Sequence, residues 1–245
     1  MSDLTGRRAF VTGAAKGIGA AIARRLATLG AEVIVADIDA SGADALATEI
    51  GGRAVALDVS DSARVEQAIA DTGPFAILVN NAGVDQHAFF TSTTADDWQR
   101  LMGVNLLSVL ATVHGALPGM QAARHGRIVN IVSEAARVGS KGGAVYAAAK
   151  GGVIAFSKSI ARENARFGIT VNCIAPGPID TPLLRAGVAR GGDKLLAAMV
   201  EATLVKRLGT PDEVAAAVAF LASDDAGFIT GETLGVSGGM GLGGS

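Results

Sequence analysis

The chain has 245 residues, 49% of them hydrophobic, a formal net charge of −2 and a pI near 5.9. That balance supplies core for one large α/β domain and gives no electrostatic reason to expect nucleic acid or an anionic membrane as partner. Cys173 is the single cysteine, which excludes an intrachain disulfide and a thiolate metal cluster and fits a reducing cytoplasm.

The start, MSDLTGRRAF, runs from an acid into a strand-like segment without the apolar core of a signal peptide. No apolar run approaches the roughly 20 residues that span a bilayer. Arg8 to Thr12 is short, apolar and β-rich. Gly13-Ala-Ala-Lys16-Gly17-Ile18-Gly19 follows, then a small-residue helix pattern to Leu29 that stops at Gly30. Strand, glycine turn and helix in this order let a phosphate approach the N–H groups at the helix start, where the dipole favours an anion. A glycine triplet also makes a plain tight turn, so the motif carries weight only in company.

Glu32 to Asp37 is a continuous apolar run ending in an acid, as expected of a parallel strand buried on both faces. In a dinucleotide fold an acid here accepts hydrogen bonds from the adenosine ribose and repels a 2′-phosphate, which points to NAD rather than NADP. Lys16 favours the opposite. The carboxylate outweighs it, because it sits at the ribose while a lysine can swing to solvent.

The pattern repeats: helix 40–50, strand 54–57, helix 62–71, strand 75–79. This alternation predicts a parallel sheet covered by helices on both sides. Asp58-Val59 and Asn80-Asn81-Ala82-Gly83 fall at carboxyl ends of strands, where ligands bind in such sheets. The two asparagines serve equally well as turn formers, and for at least one of them that reading is preferred. Residues 96–120 read as one long helix with Trp98 and, midway, Asn105. A buried asparagine needs partners, so Asn105 either ties down backbone or links a proton path.

Ile128 to Val132 reads as a fifth strand with Ser133 at its end. Tyr146, the only tyrosine, lies on a helix running to Phe167 with Lys150 four positions later on the same face. A phenol with a reference pKa of about 10 needs a nearby cation before it exchanges protons near neutrality. On its own such a pair is more often an ordinary helix face. Strand 170–174 leads into the rigid turn Pro176–Thr181. Residues 183–206 read as two short helices joined by a flexible loop, either a mobile lid or a surface insertion. Helix 211–222, strand 233–236 and a glycine-rich tail complete the chain. His87, His114 and His125 show no ligand spacing, so no metal is expected and all three read as surface or packing residues.

In this order the motifs resemble the short-chain dehydrogenase/reductase family, in its single-domain branch, over essentially the whole chain. The resemblance rests on Thr12–Gly19, Asp58, Asn80–Gly83, Asn105, Ser133, Tyr146–Lys150 and Pro176-Gly177. It implies an α/β, doubly wound, Rossmann-like sheet of seven parallel strands in three αβα layers. It also implies a nicotinamide cofactor, reversible hydride transfer between alcohol and carbonyl, and a homotetramer. Tyr146 would be the general acid/base and Ser133 would hold the substrate oxygen. Lys150 would bind nicotinamide ribose and lower the pKa of Tyr146, and Asn105 would position a water between Lys150 and solvent. Gly13, Lys16, Gly17, Ile18, Gly19, Asp37, Ile38, Asn80, Ala82, Gly83, Pro176 and Gly177 match cofactor positions. Ile179 and Thr181 match those at the carboxamide, Asp58 and Val59 those near adenine.

Residues 126–152 resemble 2-hydroxycyclohexanecarboxyl-CoA dehydrogenases, which implies a cyclic secondary alcohol, as a CoA thioester in that subgroup. Arg137 and Lys141 are available for an anionic portion of it. The expected activity is therefore NAD-dependent interconversion of a secondary alcohol and its ketone. One alternative is an NADP-linked 3-oxoacyl reductase, which Lys16 encourages. The other is a non-catalytic dinucleotide-sensing or scaffold protein, against which the intact Asn105, Ser133, Tyr146 and Lys150 speak.

Overall fold

Apolar strands with both faces covered build the centre of the molecule, and the computed structural model describes residues 3–242. The strands are β1 (Arg8–Thr12), β2 (Glu32–Asp37), β3 (Arg53–Ala56), β4 (Ile77–Asn80), β5 (Gly126–Ile131), β6 (Ile169–Pro176) and β7 (Thr233–Val236). They form one parallel sheet in the order β3-β2-β1-β4-β5-β6-β7. The order reverses direction between β1 and β4, which opens a crevice at the carboxyl ends of those strands.

Helices α1 (Gly17–Thr28), α2 (Ala40–Ile50), α3 (Ser62–Thr72), α4 (Ala95–Met102) and α5 (Ser108–Ala123) cover the first five strands. They are followed by α6 (Ala135–Val138), α7 (Ala144–Asn164), α8 (Pro182–Gly191), α9 (Asp193–Glu201) and α10 (Pro211–Leu221). Side chains alternate across each strand, so Ala9 and Val11 enter the core beneath α1 and α10 while Phe10 enters the core beneath α3 and α5. Phe10 packs on Phe75 with ring centroids 5.1 Å apart. Burying such a side chain stabilises the fold by roughly 1.5–3 kcal/mol. The result is the three-layer, doubly wound Rossmann-like architecture.

The long helix expected over 96–120 is interrupted. Residues Gly103–Leu107 make a π turn between α4 and α5, and Asn105 at its centre is fully buried. Residues 95–123 together are long and apolar enough to cross a membrane, contrary to the expectation that no run approaches that length. Here Val109, Val113, Ala116 and Met120 pack onto the sheet instead. The flexible joint expected within 183–206 is the single residue Gly192, at φ 75°, between α8 and α9. Part of the expected tail is a helical turn, Met240–Leu242, and residues 243–245 lie outside the described ones.

At the amino ends of the strands, buried Arg127 donates to the carbonyls of Gly126 (2.9 Å), Gly168 (3.1 Å) and Ser223 (3.2 Å). Its guanidinium also meets Asp224 at 3.2 Å, and Arg7 pairs with the same carboxylate.

Candidate active site

A cleft of about 650 Å³ runs along the carboxyl ends of the strands, from Asp37 and Ile38 at the end of β2 to Ser133 after β5 and the turn after β6. Its floor is the turn between β1 and α1. Gly13 and Gly17 hold φ of 62° and 59°, the left-handed region that glycine tolerates. A Cβ on Gly19 would sit 2.1 Å from the Gly13 carbonyl oxygen, so only glycine lets the turn close on the helix. No side chain caps α1 and no acid sits in its first turn. This cradle of free N–H groups fits the pyrophosphate of a dinucleotide.

Asp37 is buried, its carboxylate accepting from Ala15 N–H and Asp39 N–H, both at 2.9 Å. It thereby braces the glycine turn as well as facing the cleft. Lys16, Ile18, Asp58, Val59, Ala82 and Gly83 line the same end, and Pro176, Gly177, Ile179 and Thr181 close the far wall. The Thr181 hydroxyl accepts from Leu184 N–H at 3.1 Å and starts α8.

Asn80 is a correction. Its side chain points away from the cleft into the helix layer, donating to Asn130 Oδ1 (2.8 Å) and accepting from the Thr112 hydroxyl (2.7 Å). Asn130 continues this buried chain to Ser157 at 2.9 Å. The lining position belongs to Asn81, whose amide donates to the carbonyls of Thr12 (3.1 Å) and Gly13 (2.8 Å) and clamps the glycine turn. Gly19 likewise shapes the turn from beneath rather than lining the cleft.

Ser133 and Tyr146 meet in the cleft, with the Ser133 hydroxyl near enough to the phenol to act on its pKa. Burial pushes the Tyr146 phenol up to about 12, the Asp85 carboxylate adds to this, and the Ser133 hydroxyl opposes it. Lys150 is buried, and Nζ donates to the Ile131 carbonyl at 2.9 Å. Burial pulls its pKa down to about 8. The dominant influence on both groups is therefore desolvation.

Asn105 lies beneath this group instead of lining it. It accepts from Val84 N–H at 3.2 Å and donates to the carbonyls of Val84 (2.9 Å) and Leu101 (3.0 Å). A Cβ on Gly83 would lie 2.9 Å from Asn105 Oδ1 and 3.5 Å from Lys150 Nζ, so the bare Cα keeps these two atoms facing one gap.

Arg137 is a second correction. It turns away from the cleft and pairs with buried Glu134 at 3.1 Å. His87 is exposed, as a surface residue would be, and it also lines the cleft, 3.2 Å from the Asp85 carboxylate. Gln86 between them is buried and bonds to the backbone of α7, a contact no local sequence signal announces. Leu183, Leu184 and Met199 of the α8–α9 segment form an apolar wall opposite.

A family model described as enoyl-(acyl carrier protein) reductase matches residues 13–241. The 3-oxoacyl-(acyl-carrier-protein) reductase FabG of Escherichia coli (strain K12) is 44% identical over 97% of this chain and 98% of its own. Nodulation protein G of Rhizobium sp. (strain N33) is 41% identical over 99% of this chain and 100% of its own. A solved structure described as a short chain dehydrogenase/reductase family protein superposes with a TM-score of 0.92 at 37% identity, covering 98% of this chain and 100% of its own. The chain thus belongs to the short-chain dehydrogenase/reductase family and is an oxidoreductase acting on a CH–OH or keto group.

Proposed function

We propose that the chain interconverts 3-oxoacyl and 3-hydroxyacyl thioesters, with NADH as the preferred reductant, as a cytoplasmic homotetramer. The observation that carries the substrate class is the run of 3-oxoacyl reductases among its relatives, at 42–44% identity over nearly the whole chain. The cyclic CoA substrate expected from residues 126–152 belongs to the same chemistry. Its ring hydroxyl sits on the carbon next to the one bearing the thioester carbonyl, which makes it a cyclic 3-hydroxyacyl thioester.

A reduced nicotinamide bound in the cleft would supply the hydride. The chain's part is to orient the carbonyl and move one proton. At neutral pH the Tyr146 phenol keeps its proton and is ready to donate it to the substrate oxygen, and the Ser133 hydroxyl beside it would turn its single proton from the phenol to that oxygen as a second donor. Lys150 has spent one of three N–H bonds on Ile131, which leaves two, one for a ribose hydroxyl and one for a water. Asn105 holds Val84 and keeps one lone pair on Oδ1 for a water between Lys150 and solvent. The α8–α9 wall serves as the lid.

The NADH preference rests on Asp37, whose buried charge would repel a 2′-phosphate. Lys16 supports the second reading, NADPH, but its charge already acts on Asp39. Assembly is supported by the large apolar side chains left exposed at Leu107, Phe220 and Phe228.

Initial rates with NADH and NADPH test this, using acetoacetyl-CoA against simple cyclic ketones. The thioester with NADH should exceed every other pair by about tenfold or more. Equal turnover of the simple ketones would return the chain to a general secondary-alcohol dehydrogenase, and faster turnover with NADPH would overturn the cofactor assignment.

A further inference from the structure

We propose that Gln86 is a positioning residue for the reaction, supplying from a distant loop the N-terminal cap of the helix that carries Tyr146. Helix α7 has no cap of its own, because Gly143 at the capping position offers no side chain. The first amides of a helix lack partners within it and normally find a Ser, Thr, Asp or Asn just before the helix. Here Gln86 Oε1 accepts from both Val145 N–H (3.0 Å) and Tyr146 N–H (3.2 Å), across 60 residues in the second case. The catalytic candidate's own backbone is therefore held by Gln86.

The carboxamide is also fixed from its other end. Gln86 Nε2 donates to the Ala88 carbonyl at 3.0 Å, and Ala88 N–H donates to the Gly142 carbonyl at 3.1 Å. Three polar contacts thus stitch residues 86–88 to the turn and first residues of α7, and the fourth braces the loop itself. Upstream, Asn105 grips both polar groups of Val84. A continuous line of ties runs from the π turn through Val84 and Gln86 to the backbone of Tyr146.

The neighbours of Gln86 give the loop a second face. Asp85 and His87 point into the cleft, and His87 abuts α8, where a Cβ on Gly187 would lie 3.3 Å from its Nε2. A substrate touching Asp85 or His87 presses on the same loop that seats Tyr146. Gln86 itself is 8% exposed and does not line the cleft, so it acts only through the helix.

The proposal rests on Tyr146 as proton donor, so Tyr146→Phe accompanies the test. Gln86→Met keeps the length and loses the acceptor. Gln86→Glu keeps an acceptor that the helix N-terminus favours, and Gln86→Asn is one methylene too short to reach. With acetoacetyl-CoA and NADH, Gln86→Met and Gln86→Asn should lose kcat by roughly 10- to 100-fold, as expected for a misplaced reacting group. Their Kd for NADH should stay within about twofold, and Gln86→Glu, which keeps the acceptor for Val145 and Tyr146 but loses the donor to Ala88, should restore part of kcat. Should Gln86→Met fail to fold, the Asn and Glu variants carry the comparison. Wild-type kcat in Gln86→Met or Gln86→Asn, or equal losses in the Glu and Asn variants, overturns the proposal alone. Turnover by Tyr146→Phe overturns the reading of Tyr146 and the proposal with it.

Discussion

Lys150 keeps an ammonium where burial disfavours it, with its pKa pulled from 10.5 to about 8. That difference opposes the folded, charged state by roughly 3 kcal/mol. Because the folded pKa lies below the unfolded one, the unfolded chain binds more protons between pH 8 and 10.5, and this group makes stability rise with pH across that window. Lys150→Met should remove the term. It strands the Ile131 carbonyl at a cost of about 1–2 kcal/mol, so a net gain of about 1–2 kcal/mol and a few degrees in Tm at pH 7 is expected, with activity lost. Melting curves at pH 7 and 9.5 check this: an advantage over wild type that does not shrink at the higher pH contradicts it. Asp85 acts on the phenol in the opposite sense to a cation, raising its pKa. Asp85→Asn should shift the alkaline limb of the alcohol-oxidation profile downward by several tenths of a pH unit to about one. The neutral-pH rate of ketone reduction, which needs the protonated phenol, should scarcely change. An unmoved limb would show that the Asp85 charge does not reach Tyr146.

At the scale of elements, the π turn Gly103–Leu107 brings Asn105 to Val84, and such turns cluster at functional sites. Asn105→Leu fits the space but leaves both backbone groups of Val84 without this partner and takes a donor from the Leu101 carbonyl, which should cost about 2–3 kcal/mol. Denaturant midpoints read the loss. Amide exchange should quicken at Val84, and an unchanged Val84 rate would count against Asn105 as its anchor. The turn itself was invisible in the sequence, because one extra residue hardly disturbs a 3.6-residue apolar period. β1 and β2 were legible for the opposite reason: burial on both faces demands an unbroken apolar run. The two asparagines at the end of β4 are alike as turn formers, yet strand parity separates them. Asn80 shares a face with Leu78, which is buried beneath α5, while Asn81 turns to the glycine loop. Gln86 carried no local signal, since its partners lie about 60 residues downstream. Arg137 looked available as a loop cation until the fold placed Glu134 beside it.

Across the whole molecule, one sheet keeps its chemistry at one edge and a charged anchor at the other. The carboxyl ends of the strands hold the cleft, while Arg127, at the start of β5, ties Gly126, Gly168 and Ser223 with Asp224 and Arg7 alongside. Arg127→Met preserves much of the apolar stem but removes a donor from each of three carbonyls, so it should cost about 1–3 kcal/mol of stability. The glycine turn and the Ser133–Tyr146 pair are built from other residues, so kcat and the KM for NADH should remain near wild type below the melting transition. His125 supplies a second readout of the same pole. Burial first, and then the charges of Arg127 and Arg7, push its imidazole below 6.5. The unfolded chain therefore binds more protons in that window, and stability falls as pH drops through 6.5. Removing the Arg127 charge relieves part of that repulsion, so the variant should lose less stability than wild type between pH 7 and 5.5. Parallel slopes for the two proteins would show that Arg127 does not act on His125. A fall in kcat matching the fall in stability would show that the two edges of the sheet are not separable.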